Sequence, residues 1–172
     1  QGDWSSDVCS SDLPGVDPHL YKPVENDVIT LNHADIIFYN GLHLEARMAD
    51  LFDQMTHKKT IAVSQDIPKS KLLPAPDYDQ LYDPHIWFDI NLWLYAIEII
   101  TQTLIKEDPL HAEIYKKNNK VYVQKLKNLL KKTIQILQEI PKNKRFLITG
   151  HDAFSYFGRC YNYNVIGLQG IS

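Results

Sequence analysis

The chain has 172 residues, a hydrophobic share of 44% and a formal net charge of −3. That is enough apolar material for one domain or two small lobes, and no apolar run reaches the about 18 residues a membrane span requires. The near-neutral charge argues against a nucleic-acid partner, which calls for a basic face, and the first residues lack the basic start and apolar run of a secretory signal peptide.

Residues 3–13, Asp-Trp-Ser-Ser-Asp-Val-Cys-Ser-Ser-Asp-Leu, match residue for residue the translation of a sequencing-library adapter. Residues 1–13 are therefore expected to be an artefact, with the native chain beginning at Pro14. Setting aside Asp3, Asp7 and Asp12 moves the formal charge from −3 to zero. Setting aside Cys9 leaves Cys160 alone, without an intrachain disulfide partner. Any signal peptide or lipid anchor is then expected upstream.

From Pro14 to Val24 the chain is rich in Pro, Gly and Asp and reads as a loop. Residues 26–32 predict a short helix with Asn26 or Asp27 as cap, and Asp35 to Asn40 a buried strand closed by an Asn40-Gly41 turn. Apolar residues at Leu44, Met48, Leu51, Phe52 and Met55 have helical spacing, and residues 60–64 read as a second strand. Pro68, Pro74, Pro76 and Pro84 make residues 67–84 a loop. Helices are predicted from Asp89 to Lys106 and from Pro109 to Ile140, the second with an apolar stripe of Leu126, Leu129, Leu130, Ile134, Leu137 and Ile140. A strand at 145–150, a helix at 153–161 and a strand at 164–170 follow. This alternation points to an α/β fold with parallel strands.

The tripeptide Asp-Pro-His occurs twice, at residues 17–19 and 83–85. Proline fixes its own φ and holds the preceding residue extended, so each histidine is presented from a stiff loop. Asp17 and Asp83 are candidate partners for the imidazoles, fixing which nitrogen faces a ligand. His151 follows the strand at 145–150, and open α/β sheets bind ligands beyond the carboxyl ends of their strands. His19, His85 and His151 are therefore the candidate metal ligands, and three imidazoles suit a first-row transition metal. His33, His57 and His111 read as surface or helix-end residues, and His43 as structural. The lysines of the helix at 109–140 read as a solvated face, and Trp87, Phe88, Trp93 and Tyr95 as core or crevice wall. No phosphate loop, nucleophile elbow or zinc-spaced cysteine pair is present. The rival reading is a hydrolase or lyase using a three-histidine zinc.

PGVDPHLYKP (14–23), ADIIFYNGLHLE (34–45), DPHIWFD (83–89) and TGHDAFSYFGRCYNYNVIGLQGIS (149–172) resemble the metal-binding solute-binding proteins of manganese, zinc and iron ABC importers, the cluster A-I or TroA-like family. The resemblance implies a two-lobed periplasmic-binding-protein-like α/β fold whose lobes are joined by a long helix. It implies an N-terminal lobe over 14–108, a connecting helix over 109–141 and the beginning of a C-terminal lobe over 142–172. The chain is then expected to be truncated at both ends, with most of its C-terminal lobe missing. His19, His85 and His151 fall on the family's first three ligands; its fourth, an aspartate, is expected beyond residue 172. The resemblance further implies a monomeric, extracytoplasmic, non-enzymatic protein, periplasmic or on the cell surface. It would pass Mn, Zn or Fe to a permease and, through that permease, serve an ATP-binding subunit. His151 in place of a glutamate, and residues 66–82 without a histidine, leave the metal open.

Overall fold

Two short parallel strand pairs organise the chain. The computed structural model describes residues 17–75 and 81–169, and the adapter-like residues 3–13 lie outside them. In the first pair, β1 (Ile36–Tyr39) runs beside β2 (Lys59–Ala62), with Ile36 opposite Lys59 and Tyr39 opposite Ala62. In the second, β3 (Phe146–His151) runs beside β4 (Asn164–Gln169), with Phe146 opposite Asn164 and His151 opposite Gln169. Parallel neighbours need a crossover, which residues 40–58 and 152–163 supply through α2 (Ala49–Gln54) and α5 (Ser155–Tyr161). Each strand pair with its helices is one lobe of a two-lobed α/β fold.

The first lobe opens with α1 (Glu25–His33). Its first turn is held by Asp27, whose carboxylate accepts the Val24 N–H at 2.8 Å and the Tyr21 hydroxyl. Asp27 was a candidate cap from the sequence; the cap position itself falls on Val24. Leu31, Ile37, Met48, Phe52 and Met55 form a buried core here, with the Tyr39 and Phe52 rings 4.7 Å apart. Burial of each large apolar side chain contributes about 1.5–3 kcal/mol.

The helix expected from Leu44 starts later. Gly41, Leu42 and His43 all take positive φ (81°, 55° and 64°), and a single 3₁₀ turn, Ala46–Met48, precedes α2. The Glu45 carboxylate fixes this turn by accepting the N–H groups of Asn40 at 2.7 Å and Gly41 at 3.1 Å. Only glycine fits at position 41, because a Cβ would lie 2.7 Å from Ser64 Oγ.

α3 (Ile90–Glu107) and α4 (Ala112–Gln138) pack as a hairpin across the 3₁₀ turn Pro109–His111. Asp108 closes the turn by accepting from the His111 ring and the Tyr115 hydroxyl, each at 2.7 Å. Asn119 of α4 donates to Thr101 of α3 at 2.7 Å. At its far end α4 is tied to the second lobe. Tyr163 donates to the Leu137 carbonyl at 3.0 Å and Arg145 to the Ile140 carbonyl at 2.8 Å, which satisfies carbonyls a helix end leaves open. Of the predicted apolar stripe on α4, Leu126 is buried, whereas Leu129 and Ile140 are exposed. Phe146, Ile148, Ile166 and Leu168 leave one face of the second sheet apolar and open.

A second core joins the lobes. Ile67, Leu72, Ile86 and Leu92 of the first pack with Tyr156 of α5. Asp89 caps α3 by accepting the Asn91 N–H at 2.9 Å and also receives Arg159 of α5 at 3.0 Å. Burial raises the Asp89 pKa, but hydrogen bonds from Cys160, Arg159 and Asn91 outweigh it and hold the carboxyl below its ordinary value. A depressed pKa stabilises the fold above the unfolded carboxylate value, and that contribution disappears as pH falls through the folded value. Asp89→Ala is expected to cost about 1–3 kcal/mol in urea unfolding at neutral pH, with the gap to the parent closing below about pH 4.

Candidate metal centre

Each Asp-Pro-His tripeptide folds as the same turn. Asp17 Oδ1 accepts the backbone N–H of His19 at 2.9 Å, and Asp83 Oδ1 that of His85 at 2.9 Å. Aspartate side chains commonly close a turn on the N–H two residues ahead, and proline between them stiffens it. The repeat in the sequence is therefore a repeated device for holding a histidine.

The two aspartates then part in role. Asp83 Oδ1 also receives His85 Nδ1 at 2.6 Å, in a site where Asp83 is 0% and His85 2% exposed. Asp17 bonds only the main chain of His19. The expectation of a carboxylate behind each ring therefore holds for His85 and not for His19.

His151 is the last residue of β3 rather than the first after it. Its carbonyl accepts from Thr149 Oγ1 at 2.9 Å and from the Ala153 N–H at 3.0 Å, which fixes the strand end. Its ring turns toward the Asp-Pro-His loops. His85 Nε2 lies 3.3 Å from His19 Nε2 and 3.2 Å from His151 Nε2, and ligand atoms of all three residues lie within 4.8 Å of one another. His19 and His85 come from the first lobe and His151 from the second.

With Nδ1 facing Asp83, the neutral tautomer of His85 that donates to Asp83 presents its Nε2 lone pair to the other two rings. Two further ring nitrogens face that lone pair at 3.2 and 3.3 Å. Nitrogens bound tetrahedrally to one zinc at about 2.0–2.1 Å stand about 3.3 Å apart. The two spacings about His85 are those of neighbouring ligands on one small cation, and the ligand atoms of all three residues lie within 4.8 Å of one another. His19 is held below the ordinary imidazole pKa, first by burial and then by His85 beside it, and so favours the neutral form that binds metal.

The rings face a cleft of about 570 Å³. Its walls include Trp87, edge-on to His85 at 5.3 Å, and Phe88 and Phe154, whose rings are 4.3 Å apart. Trp93 and Tyr95 pack against the second core. His43 stays out of the cluster on its left-handed turn, and His111 holds the turn before α4. The α4 lysines are exposed.

The sequence reading missed a supporting chain of contacts. Asn40, anchored by Glu45, donates Nδ2 to the Pro84 carbonyl at 3.0 Å and so braces the loop before His85. Tyr156 donates to the Asp83 carbonyl at 2.8 Å from the other lobe. The Asn-Gly pair marks the first contact in the sequence; nothing marks the second.

The chain is similar to several known proteins. Manganese-binding lipoprotein MntA of Bacillus subtilis (strain 168) is 45% identical over 160 residues, covering 92% of this chain and 52% of that protein. Iron-binding protein YfeA of Yersinia pestis is 31% identical over 159 residues, covering 92% and 51%. The solved structure of the periplasmic zinc-binding protein TroA from Treponema pallidum superposes with a TM-score of 0.86 at 40% identity, covering 92% of this chain and 57% of that one. The chain thus spans about half the length of the curated relatives it matches. All three are named for binding a metal, and none for a reaction. The family model described as zinc-uptake complex component A, periplasmic, matches residues 10–172, and the chain belongs to that family.

Proposed function

We propose that the chain is the metal-capturing part of an extracytoplasmic solute-binding protein, and that His19, His85 and His151 together bind one divalent transition-metal ion. The observation that carries this reading is the approach of two ring nitrogens to His85 Nε2 at 3.2 and 3.3 Å, one from a loop of the first lobe and one from a strand end of the second. Imidazoles set at that spacing suit zinc, iron or manganese in a mixed donor set, and the relatives named above bind each of these three. The metal is cargo, and no bond is made or broken.

In this reading, residues 14–108 form the first lobe, 109–141 the connecting helix and 142–172 the beginning of the second. The ion joins the lobes because its ligands come from both. The protein acts as a monomer in the periplasm or on the cell surface, sent there by a signal peptide or tethered by a lipid anchor. It delivers the ion to a membrane permease driven by an ATP-binding subunit. Three imidazoles leave a position for a fourth donor, the aspartate implied by the family resemblance.

Calorimetric titration of the chain with zinc and with manganese tests the site. His19→Ala, His85→Ala and His151→Ala are each expected to weaken binding by more than the roughly 10–100-fold typical of lost supporting residues, and Asp83→Ala by about that amount. Parent-like binding in all three histidine variants would remove the site.

Proton competition provides a second check. With its pKa held below the ordinary value of about 6.5, His19 stays mostly neutral at that pH, so its contribution to the loss of affinity begins only in more acid solution. Titrations from about pH 7.5 to about pH 5 should show a plateau near neutrality and a fall below about 6.5. Affinity that rises on acidification would contradict imidazole ligation.

A further inference from the structure

Residues 73–75 and 81–83 run antiparallel at the base of the His85 loop, bridged at Pro74 and Tyr82. The Ala75 N–H donates to the Leu81 carbonyl at 2.9 Å, and the Asp83 N–H to the Leu73 carbonyl at 2.9 Å. In a regular antiparallel ladder, Leu73 and Asp83 would exchange both bonds, with the Leu73 N–H donating back to the Asp83 carbonyl. Here the Tyr156 hydroxyl stands between those two groups. It accepts from the Leu73 N–H at 3.1 Å and donates to the Asp83 carbonyl at 2.8 Å.

Tyr156 comes from the other lobe, on the helix that follows His151. Its side chain is 0% exposed, and burial pushes its phenol up to about 12, so the hydroxyl keeps the proton it donates. Arg159, one turn further along α5, donates to the Lys71 carbonyl at 2.6 Å and to Asp89 at 3.0 Å. α5 is thus fastened to the chain just before the His85 loop and just after it.

We propose that Tyr156 is a positioning residue for the metal centre: its hydroxyl, inserted between the Leu73 N–H and the Asp83 carbonyl, sets how closely the His85 loop approaches the strand bearing His151. The inference rests on the metal-binding reading above. Among the described residues Tyr156 hydrogen-bonds none of the three histidines and acts through Asp83, which holds the His85 ring. Without the hydroxyl, Leu73 and Asp83 lose their common partner, and the nearest remedy is a direct bond between them. That bond keeps the fold but narrows the pair and draws Asp83, with His85, away from α5. A tyrosine kept only for its ring would show no such effect, because phenylalanine fills the same space.

Tyr156→Phe in the full chain, probed with cobalt(II) and zinc, separates the two roles. Zinc affinity is expected to fall about 10–100-fold and the visible cobalt band to change shape, while the circular dichroism is kept. Tyr163→Phe, which removes a phenol bond to α4, should alter neither. In the unsubstituted chain, exchange of the Leu73 amide hydrogen should slow when zinc is added, a readout that stands even if the variant fails to fold. A Tyr156→Phe protein with parent affinity and cobalt spectrum, or Leu73 exchange indifferent to zinc, overturns the proposal. Parent-like zinc binding by His85→Ala and His151→Ala would instead overturn the metal-binding reading beneath it.

Discussion

The arrangement depends on the buried hydrogen bond between Asp83 and His85. A carboxylate withdrawn from water is costly unless it is well bonded, and Asp83 Oδ1 receives both the His85 ring and the His85 main chain. That double contact fixes the tautomer, the ring plane and the loop conformation together. Asp83 Oδ2 is buried with no hydrogen-bond partner among the described residues, so the hydrogen bonds of this carboxyl run through Oδ1 to His85. A partner that draws on the Nδ1 proton makes Nε2 the better donor to a metal.

His19 and His151 are held more lightly, and the difference has a physical logic. Both are partly exposed, and among the described residues neither ring has a carboxylate behind it comparable to Asp83. The cluster therefore combines one buried, doubly bonded histidine with two that are partly exposed.

Much of this was legible in the sequence. Strands β1 to β4 and helices α3 and α4 follow from apolar runs, helical spacing and the prolines that bound them. The Asp-Pro-His repeat marked two of the three clustered histidines because its chemistry is local, each turn closing within three residues. The third histidine followed from its place at the end of a strand. What could not be read was non-local or turned on backbone sign. The spacing from Leu44 to Met55 is helical, but periodicity cannot register three successive positive-φ residues or the Glu45 carboxylate that stabilises them. The exposure of Leu129 and Ile140 likewise depends on what lies opposite α4. The Tyr156 hydroxyl completes a ladder between residues more than seventy positions upstream, and no pattern within α5 announces it.

A final consequence belongs to α4. Its 27 residues make a strut about 40 Å long, pinned near one end to α3 and at the other to Tyr163 and Arg145. Over such an arm, a tilt of roughly three degrees shifts the far end by about 2 Å. An ion held by histidines of both lobes would oppose such a tilt at the same seam as the second core, where Tyr156 packs on Ile86 and Leu92.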